Sequence, residues 1–338
     1  MVPKTYRQLV ITGNADHLSD AVALVEQPLR LPGPGQVLIR NRFAGVNGIY
    51  DNRLGKGQII PPDPKAAQNP PFCFGFESVG EVAAVGPGVK DLVAGDAVAT
   101  VKFGHAYCEY HTIDAAAVIP VPEVSPAILT LIPTGTSALV ALEQVGELSS
   151  GERVLISAAA GGLGHIAVQV AKQRGNHVTA LTGNAAKVER LSALGLDRVV
   201  NYRTEDLDSA LAEVSPSGFD LILDTVGGVV FDTLVEHLAN HGRLVVSGFS
   251  SDADNPQAVT QQRIYTRLYW KAASVRAFMN PLFASYQADA RRRLLDTYQQ
   301  GLLQVWVHEP LFKGLENLPR AVDCLLSGQN LGKVILQI

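Results

Sequence analysis

The stretch RVLISAAAGGLGHIAVQVAKQR, residues 153–174, decides the fold. Its first six residues, Arg153 to Ala158, form an apolar, β-branched run without polar alternation. That is the composition of a strand covered on both faces in a parallel sheet. Its last eleven, Gly164 to Arg174, carry apolar residues at helical spacing. Between them lies Ala158-Ala159-Ala160-Gly161-Gly162-Leu163-Gly164. Small residues there let the backbone approach a pyrophosphate, and a helix N-terminus offers amide donors and the positive end of its dipole. A glycine cluster alone is a weak signal. Preceded by a strand and followed by a helix, it predicts a dinucleotide site, against the alternative of a tight turn with no ligand.

The same alternation continues downstream. Strands are predicted at 177–181, 198–201, 219–223 and 243–247, with helices at 185–194, 207–213 and 231–238 between them. Such regular alternation predicts a doubly wound parallel sheet, and Ser274 to Phe278 adds an edge strand. Upstream the rhythm differs. Residues 36–43, 75–85 and 96–101 read as short strands separated by glycine turns, the pattern of a small barrel. The tail strand GKVIL, residues 332–336, is expected to return to that first domain. The chain therefore reads as α/β: a barrel-type catalytic domain from residues 1–123 and 300–338, and a dinucleotide-binding domain from 124–299.

The 338 residues suit two domains. With 47% hydrophobic and 18% charged residues and a net charge of −4, nothing suggests a nucleic-acid or anionic-membrane surface. No apolar run reaches the roughly 18 residues of a spanning helix, and the N-terminal residues lack a signal-peptide core. Cys73, Cys108 and Cys324 are scattered without a CxxC pair, which points to a reducing cytoplasm. His105 and His111 flank Cys108, but the spacing fits no standard metal site.

The choice of dinucleotide is also legible. NAD sites usually place Asp or Glu about 20 residues past the glycines, on the ribose hydroxyls. Here that position reads Leu181-Thr182-Gly183-Asn184, with no acid to repel a 2′-phosphate. Lys187 follows on the next helix with Arg190 behind it, and Tyr202 follows the third strand. Thr182, Gly183, Lys187 and Tyr202 thus favour NADPH; a merely solvated Lys187–Arg190 face is the alternative. Ser247, Gly248 and Phe249 end a strand at the carboxyl edge of the sheet, where cofactors bind.

Several motifs occur together and in order: Gly45-Val46-Asn47, GFESVGEV at 75–82, Gly135-Thr136-Ser137-Ala138, AAAGGLGHIAVQVAK at 158–172, Asn201-Tyr202 and Asn330-Leu331-Gly332-Lys333. On these the chain resembles the medium-chain dehydrogenase/reductase superfamily over nearly its whole length. The likeness is to its zinc-free quinone reductase and enoyl reductase branches; Arg40-Asn41-Arg42-Phe43, Lys271-Ala272-Ala273-Ser274-Val275 and the segment through Phe278-Met279-Asn280 carry a closer likeness to the prostaglandin reductase 3 group. The resemblance implies a GroES-like domain beside a Rossmann domain.

It also implies roles. Asn47 and Tyr50 lie on a loop that faces the nicotinamide in zinc-free relatives, and Tyr50 can donate a hydrogen bond to a developing enolate. The commoner pattern has Asp where Tyr50 stands; here Asp51 follows it. Thr136, in a turn before a helix, Phe278, Met279 and Asn330 are implied cofactor contacts, as are Ala160, Gly161, Gly162, Leu163 and Gly164 of the turn. Tyr265, Tyr269, Arg263 and Arg267 are further candidates near the substrate. The segments 57–71, expected to be a mobile loop, and 250–267 are expected to line the pocket.

Zinc-dependent members hold their metal with a Cys and a Gly-His-Glu motif; the matching positions here are Asn47 and Gly75-Phe76-Glu77. No metal is expected. The implied activity is NADPH-dependent reduction of α,β-unsaturated carbonyls by a homodimer. Quinone reduction, and cofactor binding without turnover, remain open at this level.

Overall fold

A computed structural model describes residues 2–58, 69–252 and 264–338. The segments 59–68 and 253–263, which include Arg263 and most of both stretches expected to line a pocket, lie outside the described residues. The chain divides into two compact units, residues 1–133 with 307–338 and residues 134–306. The sequence rhythm places the changes of domain earlier, at 123/124 and 299/300.

The second unit carries a six-stranded parallel sheet. Its spatial order is Arg198–Asn201, His177–Thr182, Arg153–Ile156, Phe219–Asp224, Leu238–Val246, Ser274–Ala277. The chain leaves the central strand Arg153–Ile156, builds outward on one side, then returns to its other side at Phe219. Ligands bind at such a reversal, beyond the carboxyl ends of the strands. Helix Gly164–Gln173 follows the first strand, and Gly164 to Ala171 are all buried. Leu155, Leu181, Val200, Phe219, Ile222 and Leu244 fill the core, each worth about 1.5–3 kcal/mol on burial. Helix Gly228–Glu236 starts earlier than the apolar pattern predicts, and the chain enters it through Gly227 and Gly228, both with positive φ.

The first unit is built on antiparallel strands. Strand Gln36–Gly45 pairs with Glu77–Val85, Tyr110–Asp114 and the tail strand Ile335–Gln337. Register shifts near Leu38 and Asn41 bend it between these partners. A smaller sheet joins Thr5–Ile11 with Val22–Pro28 and Phe72–Cys73. The tail's return, expected from its sequence, closes the core that holds Ala44, Val46, Phe74, Tyr107, Val334 and Leu336.

One helical run, Pro126–Val145, is long and apolar enough to cross a membrane by composition; its most apolar window is 83% buried inside the fold. Thr136 lies within this run, not in a turn before a helix. Pro133 lacks the N–H that a regular α-turn needs, and residues 130–135 widen into π-helix.

Candidate functional site

The glycine turn is shaped by close contact. A Cβ on Gly164 would stand 2.3 Å from the Ala158 carbonyl oxygen and 2.7 Å from the Ala159 Cα. Ala158 itself takes φ 44°, the left-handed region. Gly161 N–H donates to the Ala158 carbonyl at 2.8 Å, closing the turn. Among the described residues no side chain caps helix Gly164–Gln173, so the turn and the helix start keep backbone amides without a side-chain acceptor. The turn can therefore hold a diphosphate on backbone donors.

Across the sheet reversal, Ser157 Oγ donates to Asp224 Oδ1 at 2.6 Å and accepts from Thr225 N–H at 2.9 Å. The Asp224 carboxylate also receives Val226 and Gly227 N–H, each at 3.0 Å. Burial pushes this acid up, against those hydrogen bonds. The pair fixes the floor beneath Ser247 and Gly248. Ser247 N–H donates to the Asp224 carbonyl, while its Oγ is buried with no hydrogen-bond partner among the described residues. Gly248 abuts Thr225, whose carbonyl oxygen is 3.0 Å from where a Cβ would sit. An orphaned hydroxyl at a carboxyl edge suits a ligand's polar atom. Phe249 is partly exposed beside them. Phe278, at the end of the edge strand, is tied by its N–H to Val246 O and packs on Phe283; Met279 follows it.

At the second strand's end, Gly183 is crowded by Tyr202. A Cβ there would lie 2.7 Å from the Tyr202 hydroxyl and 3.2 Å from Nε of Arg203. Thr182 Oγ1 accepts Asn184 N–H, and Asn184 caps the helix whose first turn carries Lys187. Gly183 and Tyr202 thus adjoin at the strand ends beside Thr182, and Lys187 lies on the helix that follows. Arg203 is a residue the sequence reading missed; its only signal was a cation directly after Tyr202. Arg190 departs from the expectation. Its guanidinium lies 4.9 Å from the centre of the Trp306 ring.

In the first unit, the stretch after Gly45 is a helix, Gly48–Gly55, where a loop was expected. Its glycines and polar residues hide the pattern. Packing makes the helix: Gly48 sits under Leu325 of helix Leu318–Leu326, 3.0 Å from where a Cβ would lie. Asn47 begins it, and Tyr50 lies half-buried with its ring edge-on to Phe76 at 5.4 Å. Burial pushes the Tyr50 hydroxyl up, so it stays a proton-bearing donor. Asn47 and Phe76, the positions that the sequence resemblance matches to zinc ligands, carry an amide and a hydrocarbon ring. Neither replaces a metal ligand. His105 and His111 lie 5.0 Å apart, yet no group of three or more metal-binding side chains occurs among the described residues.

Beneath this helix lies a buried polar network that the sequence reading did not see. Asp51 Oδ2 accepts the Tyr107 hydroxyl at 2.6 Å and the Asn47 N–H at 3.0 Å. Lys333 Nζ pairs with Glu77 Oε1 at 2.5 Å and donates to the Val46 carbonyl at 3.2 Å. The backbone of Val46 and Asn47 is therefore held by Lys333 and Asp51. Asn330 Nδ2 donates to the Gly332 carbonyl at 2.8 Å, shaping the tail turn that delivers Lys333. Arg267 Nε pairs with Glu236 Oε1 at 2.6 Å, while its Nη1 is buried without a hydrogen-bond partner among the described residues. Tyr269 is largely exposed, edge-on to Trp270.

Two family models match the chain: an alcohol dehydrogenase GroES-like domain over residues 33–139 and a zinc-binding dehydrogenase over 162–291. Mouse prostaglandin reductase-3 is 38% identical over 100% of this chain and 90% of its own length. A probable quinone oxidoreductase from Leishmania amazonensis is 34% identical over 99% of both chains. The crystal structure of Escherichia coli quinone oxidoreductase complexed with NADPH superposes with a TM-score of 0.83 at 26% identity, covering 98% of this chain and 100% of that one.

Proposed function

The chain belongs to the medium-chain dehydrogenase/reductase superfamily, and from that premise we propose that it is an NADPH-dependent reductase of α,β-unsaturated carbonyl compounds. The observation that carries this reading is the end of strand His177–Thr182. Where an NAD enzyme has a carboxylate, Gly183 stands under the Tyr202 hydroxyl and the Arg203 guanidinium. Lys187, on the next helix, adds a second cation for a 2′-phosphate.

When bound, the cofactor supplies a hydride to the substrate's β-carbon. The residues of the chain do the rest. The turn Ala160 to Gly164 holds the pyrophosphate, and Ser247, Gly248, Phe249, Thr136, Phe278, Met279 and Asn330 orient the dinucleotide. As the C=C electron pair moves onto the carbonyl oxygen, Tyr50 donates a hydrogen bond to that enolate, with Asn47 at its side. A proton taken up from water at the α-carbon completes the reduction. A plain alcohol offers no such route without a Lewis acid, and the Asn47–Phe76 positions provide no ligands for one.

A probable quinone oxidoreductase is among the relatives, so the deciding experiment is a panel. NADPH oxidation is followed with an enone, a quinone and an enoyl thioester. Turnover of the enone supports the proposal; turnover of quinone alone overturns it. NADPH binding without turnover on any electrophile identifies a binding protein instead. The protein is further proposed to be a cytoplasmic homodimer. Cys73, Cys108 and Cys324 form no disulfide among the described residues, and strand Ser274–Ala277 is the last in its sheet. Light scattering at micromolar concentration tests the dimer.

A further inference from the structure

His165 is wholly buried, directly after Gly164, and both of its ring nitrogens are in use. Nε2 lies 2.9 Å from the backbone N–H of Trp306, which is a donor, so Nε2 accepts. Burial pushes the imidazole down to about 4, leaving the ring neutral with its one proton on Nδ1. That Nδ1 lies 2.8 Å from the Gly161 carbonyl oxygen. The same oxygen already accepts the His165 backbone N–H at 3.2 Å, so one residue occupies both of its acceptor positions.

The peptide plane gives this pairing its consequence. In a trans peptide the carbonyl and the following N–H point in opposite directions. With the Gly161 carbonyl drawn inward onto His165, the Gly162 N–H is aimed outward, over the turn. The imidazole is held in turn. It stacks on the Trp306 indole with centroids 5.3 Å apart and planes 10° from parallel. Arg190, from the helix that carries Lys187, lies over that indole. Four residues on, Gln169 fixes the same returning segment, donating to the Gln304 carbonyl at 2.9 Å and accepting its N–H at 2.8 Å.

We propose that His165 is a positioning residue for the dinucleotide: it pins the Gly161–Gly162 peptide so that the Gly162 amide meets the pyrophosphate. This rests on the reading of the turn as an NADPH site, and it extends that reading to a side chain that touches no cofactor atom.

The test titrates NADPH against the wild type and three variants, with kcat measured at saturating NADPH. His165→Ala removes both hydrogen bonds. His165→Gln keeps an acceptor near Trp306 and loses the Gly161 contact. His165→Asn keeps an amide donor near Gly161 and is too short for Trp306. The expected result is a Kd about tenfold higher for the Ala and Gln variants, with kcat within about twofold of wild type and affinity largely restored in the Asn variant. Equal affinities in all four proteins overturn the role of His165, as do Asn and Gln variants that are equally weak. If the Ala variant does not fold, the Asn–Gln comparison alone decides. A wild type that fails to bind NADPH overturns the cofactor reading as well.

Discussion

The ammonium of Lys333 lies 2.5 Å from Oε1 of Glu77, and both side chains are less than a tenth exposed. Strand and tail come from opposite ends of the chain, so this contact records the return of the tail. A buried pair of this kind is most informative when halved. Lys333→Met leaves an uncompensated carboxylate beside Gly45 and is expected to cost about 3–5 kcal/mol in denaturant unfolding. Adding Glu77→Gln removes the stranded charge and is expected to recover a large part of that loss. A double variant no more stable than the single one counts against the pairing.

Asp51 gives a pH signature. Its carboxyl is raised from 3.8 to about 7, chiefly by burial, against the Tyr107 and Asn47 hydrogen bonds. The folded protein then keeps a proton that the unfolded chain has released between those values. Stability from this group is therefore present at low pH and lost as pH rises from about 4 to 7. Asp51→Asn mimics the neutral acid. Its stability relative to wild type is expected to be greatest near pH 7.5 and to shrink toward pH 5, by an amount on the order of 2–4 kcal/mol. Unfolding curves at both pH values check this; a difference independent of pH sinks it.

The parallel sheet was readable because its strands are continuous apolar runs and its glycine turn is local in sequence. The antiparallel unit was less so. Helix Gly48–Gly55 has two glycines and poor helix formers, and Leu325, almost 280 residues away, supplies the packing that stabilises it. The same distance hid the Asp51–Tyr107 and Glu77–Lys333 contacts, which span 56 residues in one case and opposite ends of the chain in the other. Arg190 shows the converse. Its position beside Lys187 suggested a phosphate cation, but Trp306, well over a hundred residues on, holds it. Local chemistry was legible; partners brought together by the fold were not.

Gly164 tests the pyrophosphate turn directly. Gly164→Ala places a methyl group against the Ala158 carbonyl and must push the turn open. NADPH affinity is expected to fall at least about tenfold, which is about 1.4 kcal/mol. Gly13→Ala serves as control, since a Cβ there meets nothing within 4 Å. Equal Kd values for both variants would remove the turn from the site.

The 2′-phosphate reading predicts a change of preference, not of total activity. Lys187→Ala and Arg203→Ala are each expected to lower the NADPH-over-NADH ratio of kcat/KM by about tenfold or more, the loss of one charged hydrogen bond. NADH kinetics should stay within about twofold. If Lys187→Ala leaves the ratio unchanged, the phosphate is bound elsewhere.

Tyr50 separates chemistry from binding. Its ring packs edge-on against Phe76, and that contact survives in Tyr50→Phe. The fold and the NADPH affinity should therefore be kept while the enolate loses its hydrogen-bond donor. For enone reduction kcat is expected to fall about 100-fold, the scale of removing one oxyanion donor. Because burial raises the hydroxyl's pKa, the wild-type rate should show no loss of this donor as pH climbs toward 10, the ordinary tyrosine range. A Tyr50→Phe enzyme with unchanged kcat would assign the enolate to another group, with Asn47 the next to test.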